Sequence, residues 1–200
     1  FRNCKSLTAE NIRGLNSSLL SLGEECFAGC NGITNLPWLA STSVTALPSG
    51  CFRNSGMVSG DEGFEKIAAL GDYSFYGCSD LVSVNFITNS TITAIPSGCF
   101  QNCARLTSLP ALDGITQIGN DAFANCSKLV DFSFPKGLTI GDRAFYGCGT
   151  DPSVPEMSDE DGFKFKLKFD CGGMTYVETA QAFGLNDGDV RQPFQPDERR

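Results

Sequence analysis

The sequence predicts a right-handed solenoid of short stacked units, with parallel strands, a one-turn helix in each unit and a small C-terminal cap. Three observations carry this prediction. Phenylalanine recurs at Phe1, Phe27, Phe52, Phe75, Phe100, Phe123 and Phe145, spaced by 22 to 26 residues. Three residues after each stands Cys4, Cys30, Cys78, Cys103, Cys126 or Cys148, with Ser55 the exception. The position before that column is always Asn or Gly: Asn3, Gly29, Asn54, Gly77, Asn102, Asn125 and Gly147. A period of this length marks a repeat architecture, in which no unit buries its apolar face alone and stacking like on like makes a continuous core.

The elements of one unit follow in order. An extended segment ends in Leu22, Leu47, Leu70, Ile95, Ile118 or Ile140, and Gly23, Pro48, Gly71, Pro96, Gly119 or Gly141 then breaks it. Next come Glu24, Ser49, Asp72, Ser97, Asn120 and Asp142, five of them good helix N-cap types, so a helical turn holding Phe is expected to start there. Asn and Gly share tolerance of the left-handed backbone, so a positive φ is expected to end the turn. A second extended segment follows, with Leu7, Ile33, Val58, Leu81, Leu106 or Leu129 six residues after Phe, and Leu36, Val84, Leu109 or Phe132 nine after. That L-x-x-L spacing is the strand phrase of a leucine-rich repeat. Burial of each ring is worth roughly 2 kcal/mol against exposure.

The run Ile118-Gly119-Asn120-Asp121-Ala122-Phe123-Ala124-Asn125-Cys126-Ser127-Lys128-Leu129-Val130-Asp131-Phe132 resembles the BspA-type leucine-rich repeat, also called the Treponema pallidum type. The resemblance covers about residues 1–149 and is specific, because the Ala-Phe, Asn/Gly-Cys and Leu columns must coincide. It implies a bacterial, sometimes protist, cell-surface or secreted protein used in adhesion or recognition, without enzymatic activity. It transfers no functional residue, since the shared columns are structural. One unit departs: after Phe52 the chain reads Ser55-Gly56-Met57-Val58-Ser59-Gly60-Asp61, with Asp61 where an apolar residue is expected. The strand there is expected to be weak or absent, either as a drifted repeat or as a loop displaced to meet a ligand.

Two regions are expected, a solenoid over 1–149 and a linker, cap and tail over 150–200. The chain opens at Phe1 within a unit, so upstream sequence is expected. Beyond Cys148, residues 150–162 read as a proline-containing acidic linker. Phe163-Lys164-Phe165-Lys166-Leu167-Lys168-Phe169 alternates as a half-buried strand, Asp170-Cys171-Gly172-Gly173 reads as a turn, and Met174–Val177 as its hairpin partner. The lysines discourage edge-to-edge pairing. The tail after Gly188 is expected to be poorly ordered.

A net charge of −8 and a pI near 4.5 argue against nucleic acid or an anionic membrane as partner. No apolar run is long enough to span a membrane, and no signal-peptide pattern is visible. Ten cysteines without a single histidine remove the usual base and ligand of cysteine proteases, serine hydrolases and most zinc enzymes. The stacked cysteines read as a free, buried ladder, because strand spacing of about 4.8 Å exceeds the roughly 3.8 Å between Cβ atoms that a disulfide prefers. Cys26/Cys30 and Cys99/Cys103 lie four apart but lack a zinc pattern, and Cys26, Cys51 and Cys99 interchange with Ala122 and Ala144, which suggests packing. The acidic runs Asp159–Asp161 and Asn186–Asp189 lack EF-hand offsets. No cofactor, metal or catalytic residue is therefore expected, and nothing in the pattern calls for a paired-carboxylate hydrolase.

What remains is the outward row of the second segment: Asn35, Ser83, Asn85, Ser108, Asp131 and Ser133, eight and ten residues after Phe. The only tryptophan, Trp38, flanks it, either as an interaction anchor or packed over a repeat edge. Two functions fit: a non-catalytic recognition or adhesion module for a protein or glycan, or a structural spacer with no ligand.

Overall fold

The computed structural model describes residues 1–15, 18–89, 91–153 and 181–184, and the backbone alone of 157–158, 164–165 and 168–170. The strands are β1 Ala46–Leu47, β2 Ala69–Leu70, β3 Ala94–Ile95, β4 Gln117–Ile118, β5 Asp131–Ser133, β6 Thr139–Ile140, β7 Met157–Ser158, β8 Lys164–Phe165 and β9 Lys168–Asp170. The regular ladder lies in the first extended segment. β1 pairs with β2, β3 with β4 and β4 with β6, all parallel and in register, matching Leu47 to Leu70 and Ile95 to Ile118 to Ile140.

The L-x-x-L segment, expected to be the strand, yields only β5 and isolated parallel bridges at Ser59–Ser83 and Ser108–Asp131. The backbone explains the difference. Pro37 and Pro110 bring no N–H to continue a ladder, and the chain curls into 3-10 turns at Pro37–Ser41 and Asn85–Thr88.

The seven rings lie one above the next. Successive centroids are separated by 5.2–5.7 Å with interplanar angles of 5–25°. All but Phe1 are fully buried; Leu47, Ile95 and Ile118 and a further column of Val44, Ile67, Ile92, Ile115 and Leu138 are buried with them, while Leu22, Leu70 and Ile140 are partly buried.

No one-turn helix holds the ring, contrary to the expectation from the N-cap column. Each turn carries two left-handed residues, one at the Asn/Gly position, as in Asn125 (φ 59), and a second two residues before Phe, as in Glu25 (φ 51), Tyr73 (φ 56) and Asp121 (φ 54). A helix cannot accommodate that second position. Alternate amides instead point along the stack: the N–H groups of Glu25, Phe27 and Gly29 donate to the carbonyls of Ser49, Cys51 and Arg53, and later repeats copy the pattern at 2.6–3.0 Å. The amides between them close i to i−3 turns, as from Ala28 to Glu25. The presumed caps serve the neighbouring repeat. Asp72 Oδ1 accepts from the Ser97 amide at 3.0 Å, and Asn120 Oδ1 from the Asp142 amide at 2.9 Å. Asn125→Val is expected to destabilise by about 1–3 kcal/mol in denaturant titration, because a β-branched residue tolerates positive φ poorly and the Asn125 Nδ2 bond to Asn102 is lost.

The cysteine column has its own reason. The thiols of Cys78, Cys103, Cys126 and Cys148 donate to the carbonyls of Phe52, Phe75, Phe100 and Phe123 in the preceding repeat, at 3.0–3.4 Å. A small, weakly polar side chain fits that space.

Near the C-terminus, two strands replace the single one expected. β8 pairs antiparallel with β7, which precedes it, and β9 adds parallel to β5. The proposed turn after Asp170, the partner Met174–Val177 and the tail beyond Gly188 lie outside the described residues. Gln181-Ala182-Phe183-Gly184 repeats the Ala-Phe phrase of Ala122-Phe123 and Ala144-Phe145. It occupies the next rung: the Phe145 amide donates to the Ala182 carbonyl at 2.9 Å, and the Phe183 ring lies 5.8 Å from Phe145.

Candidate functional site

The outward row follows from the pleat. Along β5, Asp131 and Ser133 are exposed while Phe132 between them is buried, and Leu106 and Leu129 turn inward as Ser108 and Asp131 turn outward. The Ser108–Asp131 bridge sets these two side chains next to each other on neighbouring repeats. Asp131 is in register with Lys168 of β9.

Asn35 is exposed on an earlier repeat, and its row runs to Ser83 by way of Ser59, which bridges Ser83. Ser59 was not anticipated, because the divergent repeat is one residue short between turn and strand. Met57 takes the buried Leu column and Val58 is 38% exposed, which corrects the inward placement of Val58. The Val58 amide donates to Thr34 and the Val82 amide to Val58, confirming the shifted alignment.

The same shift resolves Asp61. It falls in the outward row, not in an apolar column, and its carboxylate accepts from Ser83 Oγ at 2.6 Å, the Asn85 amide at 3.1 Å and Asn85 Nδ2 at 3.3 Å. Ser83 and Asn85 are therefore brought together, with their donors engaged by a neighbour. In the divergent repeat the second segment keeps only the isolated bridge from Ser59 to Ser83, a weak strand as expected, and the one-residue shortening makes it a drifted repeat.

Between the fourth and fifth repeats both ladders are interrupted among the described residues. There Asn89 Nδ2 donates to the carbonyls of Glu65 (2.8 Å) and Ile67 (3.0 Å), a side chain doing what backbone does elsewhere. The row thus divides into an upstream group of Asn35, Ser59, Asp61, Ser83 and Asn85 and a downstream group of Ser108, Asp131 and Ser133.

Trp38 sits in the Pro37–Ser41 turn, partly buried against the core. Its indole nitrogen is enclosed and meets no acceptor among the described residues, so the ring packs over the repeat edge and does not stand out from it. The turn face, unforeseen from the sequence, carries exposed Tyr73 and Tyr146, with Arg53 4.9 Å above the Tyr76 ring and Arg143 4.3 Å above Tyr146.

The thiols have little chemistry to offer where they are enclosed. Burial pushes Cys78, Cys99 and Cys126 up to about 12. In the unfolded chain each ionises near 9.0, the ordinary thiol value. Between those values the unfolded chain releases protons that the folded chain keeps. Stability is expected to be level below about pH 8 and to fall as pH rises from about 9 toward 12, measurable as a declining denaturation midpoint. Among the described residues no three His, Cys, Asp or Glu gather to hold a metal, and no helix is long and apolar enough to cross a membrane.

A family model described as BspA type Leucine rich repeat region matches the chain in six copies, over residues 1–60 and 62–154. No curated protein matches it. Among solved structures, the chain is similar to a leucine rich cell surface protein from Faecalibacterium prausnitzii A2-165, with 20% identity, a TM-score of 0.47, and coverage of 82% of this chain and 32% of that one. A leucine-rich repeat protein from Bacteroides ovatus ATCC 8483 is similar at 20% identity and TM-score 0.54, with 74% and 43% covered. The leucine rich repeat protein of T. pallidum follows at 17% identity and TM-score 0.39, with 80% and 74% covered. The chain spans less than half the length of the first two. The Bacteroides ovatus likeness supports the leucine-rich repeat fold.

Proposed function

The chain belongs to the BspA-type leucine-rich repeat family, and from that premise we propose that it is a non-catalytic recognition or adhesion module. It binds a protein or glycan along the outward row, on a right-handed solenoid closed by the C-terminal segment. The observation that carries the reading is the Ser108–Asp131 bridge with Ser133 beside it: exposed polar side chains on neighbouring repeats, with the buried Phe132 between Asp131 and Ser133. Asn35 extends the surface upstream, while Ser83 and Asn85 are held by Asp61 and contribute shape more than free donors. Trp38 stiffens the Asn35 region from behind. A location at the cell surface or outside the cell is part of the proposal and rests on the family resemblance.

The test uses a glycan array and surfaces coated with mucin or extracellular-matrix protein. Binding is expected, and Asn35→Ala, Ser108→Ala and Asp131→Ala together are expected to reduce it at least about tenfold, as loss of a few interface hydrogen bonds does. The unfolding midpoint should not move. Binding that survives all three substitutions rejects the surface. Absence of binding to every probe favours the spacer reading.

A further inference from the structure

We propose that Cys26 and Cys51 form a reversible dithiol–disulfide pair that links the second and third repeats. The inference is independent of the ligand-binding reading. Both residues stand just before the Phe column, in a series that runs Cys26, Cys51, Ser74, Cys99, Ala122, Ala144. Only there do two cysteines of that column follow one another, and their sulfurs lie 3.6 Å apart. Among the described residues no other two sulfurs are in hydrogen-bonding contact. Ser74 separates Cys51 from Cys99 and holds the Cys99 thiol at 3.2 Å, while the thiols of the other column point at phenylalanine carbonyls.

The backbone brings the pair within reach. The Glu25 amide donates to Ser49 and the Phe27 amide to Cys51, so ladder bonds flank the two residues. A strand spacing of about 4.8 Å falls inside the roughly 4.4–6.8 Å between α-carbons that disulfides span. The Cβ atoms must draw together from the ladder spacing, and side-chain rotation supplies the rest. Access divides the roles. Cys26 is partly exposed and Cys51 fully buried, so an oxidant in solution meets Cys26 first. The hydrogen bond shared by the two sulfurs lowers Cys26 from the ordinary thiol value and burial raises Cys51 well above it, in line with the more exposed Cys26 as nucleophile and the buried Cys51 as proton-bearing partner.

With a hydroperoxide as oxidant, the Cys26 thiolate attacks one peroxide oxygen, forming a sulfur–oxygen bond as the oxygen–oxygen bond breaks. Hydroxide or alkoxide leaves and takes up a proton. The Cys51 sulfur, giving up its proton, then attacks the Cys26 sulfur, and the hydroxyl departs as water. Two thiols lose two electrons to one peroxide. Exchange with a dithiol reductant restores both.

The test treats the reduced full chain with one equivalent of hydrogen peroxide, alkylates the remaining thiols in denaturant and maps the digest. Chymotrypsin is the protease of choice, since no Lys or Arg lies between Arg13 and Arg53, whereas Phe27 and Trp38 separate the two cysteines. The expected result is a Cys26–Cys51 linked peptide that disappears with dithiothreitol. In Cys51→Ala the link should fall to background, and a dimedone adduct should appear on Cys26. Recovery of both cysteines alkylated while Cys4 is oxidised overturns the proposal, as does Cys26 linked to Cys4, Cys30 or a second chain. Should Cys51→Ala fail to fold, the map of the unaltered chain decides alone.

Discussion

Phe123→Ala is expected to destabilise the chain by about 3–5 kcal/mol, the range for truncating a fully buried aromatic ring. Phe123 is enclosed, with Phe100 at 5.3 Å and Phe145 at 5.2 Å on its two sides. The transfer of the ring accounts for about 2 kcal/mol, and the unfilled space adds the remainder. That space cannot close, because the amides of Phe100 and Phe123 tie their repeats to Ala122 and Ala144 at a fixed rise. Val82→Ala is the control: inside the stack but 41% exposed, it is expected to lose less than about 1 kcal/mol. Denaturant midpoints compare the two, and equal losses would refute the stack as the source of stability.

The second large effect concerns backbone contact between repeats. Gly71→Ala is expected to cost about 3 kcal/mol, at the upper end of overpacking losses. A methyl group on Gly71 would lie 2.4 Å from the Ser49 nitrogen and 2.5 Å from the Pro48 carbonyl carbon. Both are main-chain atoms held in ladders, so relief requires the repeats to part. Gly114 lies inside the stack but outside that column, with only the Ile92 carbonyl oxygen near its added carbon, at 3.8 Å, so Gly114→Ala is expected to be neutral or slightly stabilising. A thermal scan of both variants settles the point, since equal midpoints would contradict close repeat-to-repeat packing at the Gly/Pro column.

Much of this architecture was readable. The Phe and Asn/Gly columns recur without gaps and the Cys column with Ser55 as its one exception, and their residues do stack, because in a repeat each position sees its own copies as neighbours. The positive φ at Asn125 followed from residue type alone. The second positive φ did not, since Glu25, Tyr73, Asp121 and Arg143 share no side-chain property that signals it. Those residues adopt the left-handed conformation because the ladder of axial hydrogen bonds requires it. The same ladder makes the turn something other than a helix, although the N-cap column suggested one.

The outward row was legible in its alternation around Asp131 and Ser133 and misread around Asp61. A one-residue shortening inverts every later side chain in a strand. From the sequence, Asp61 in an apolar column and Asp61 in the outward row are the same letter. Only the pairing of Ser59 with Ser83 distinguishes them.

The chain alone therefore determined its period, the residues that form the core, the left-handed turn at Asn or Gly and the absence of histidine chemistry. These depend on side-chain size, backbone freedom and composition, which each residue carries with it. The register of the divergent repeat, the rung formed by Phe183 and the approach of Cys26 to Cys51 were decided by tertiary structure. Each depends on which backbone lies one rung away, and that neighbour is 24 to 38 residues distant in the chain.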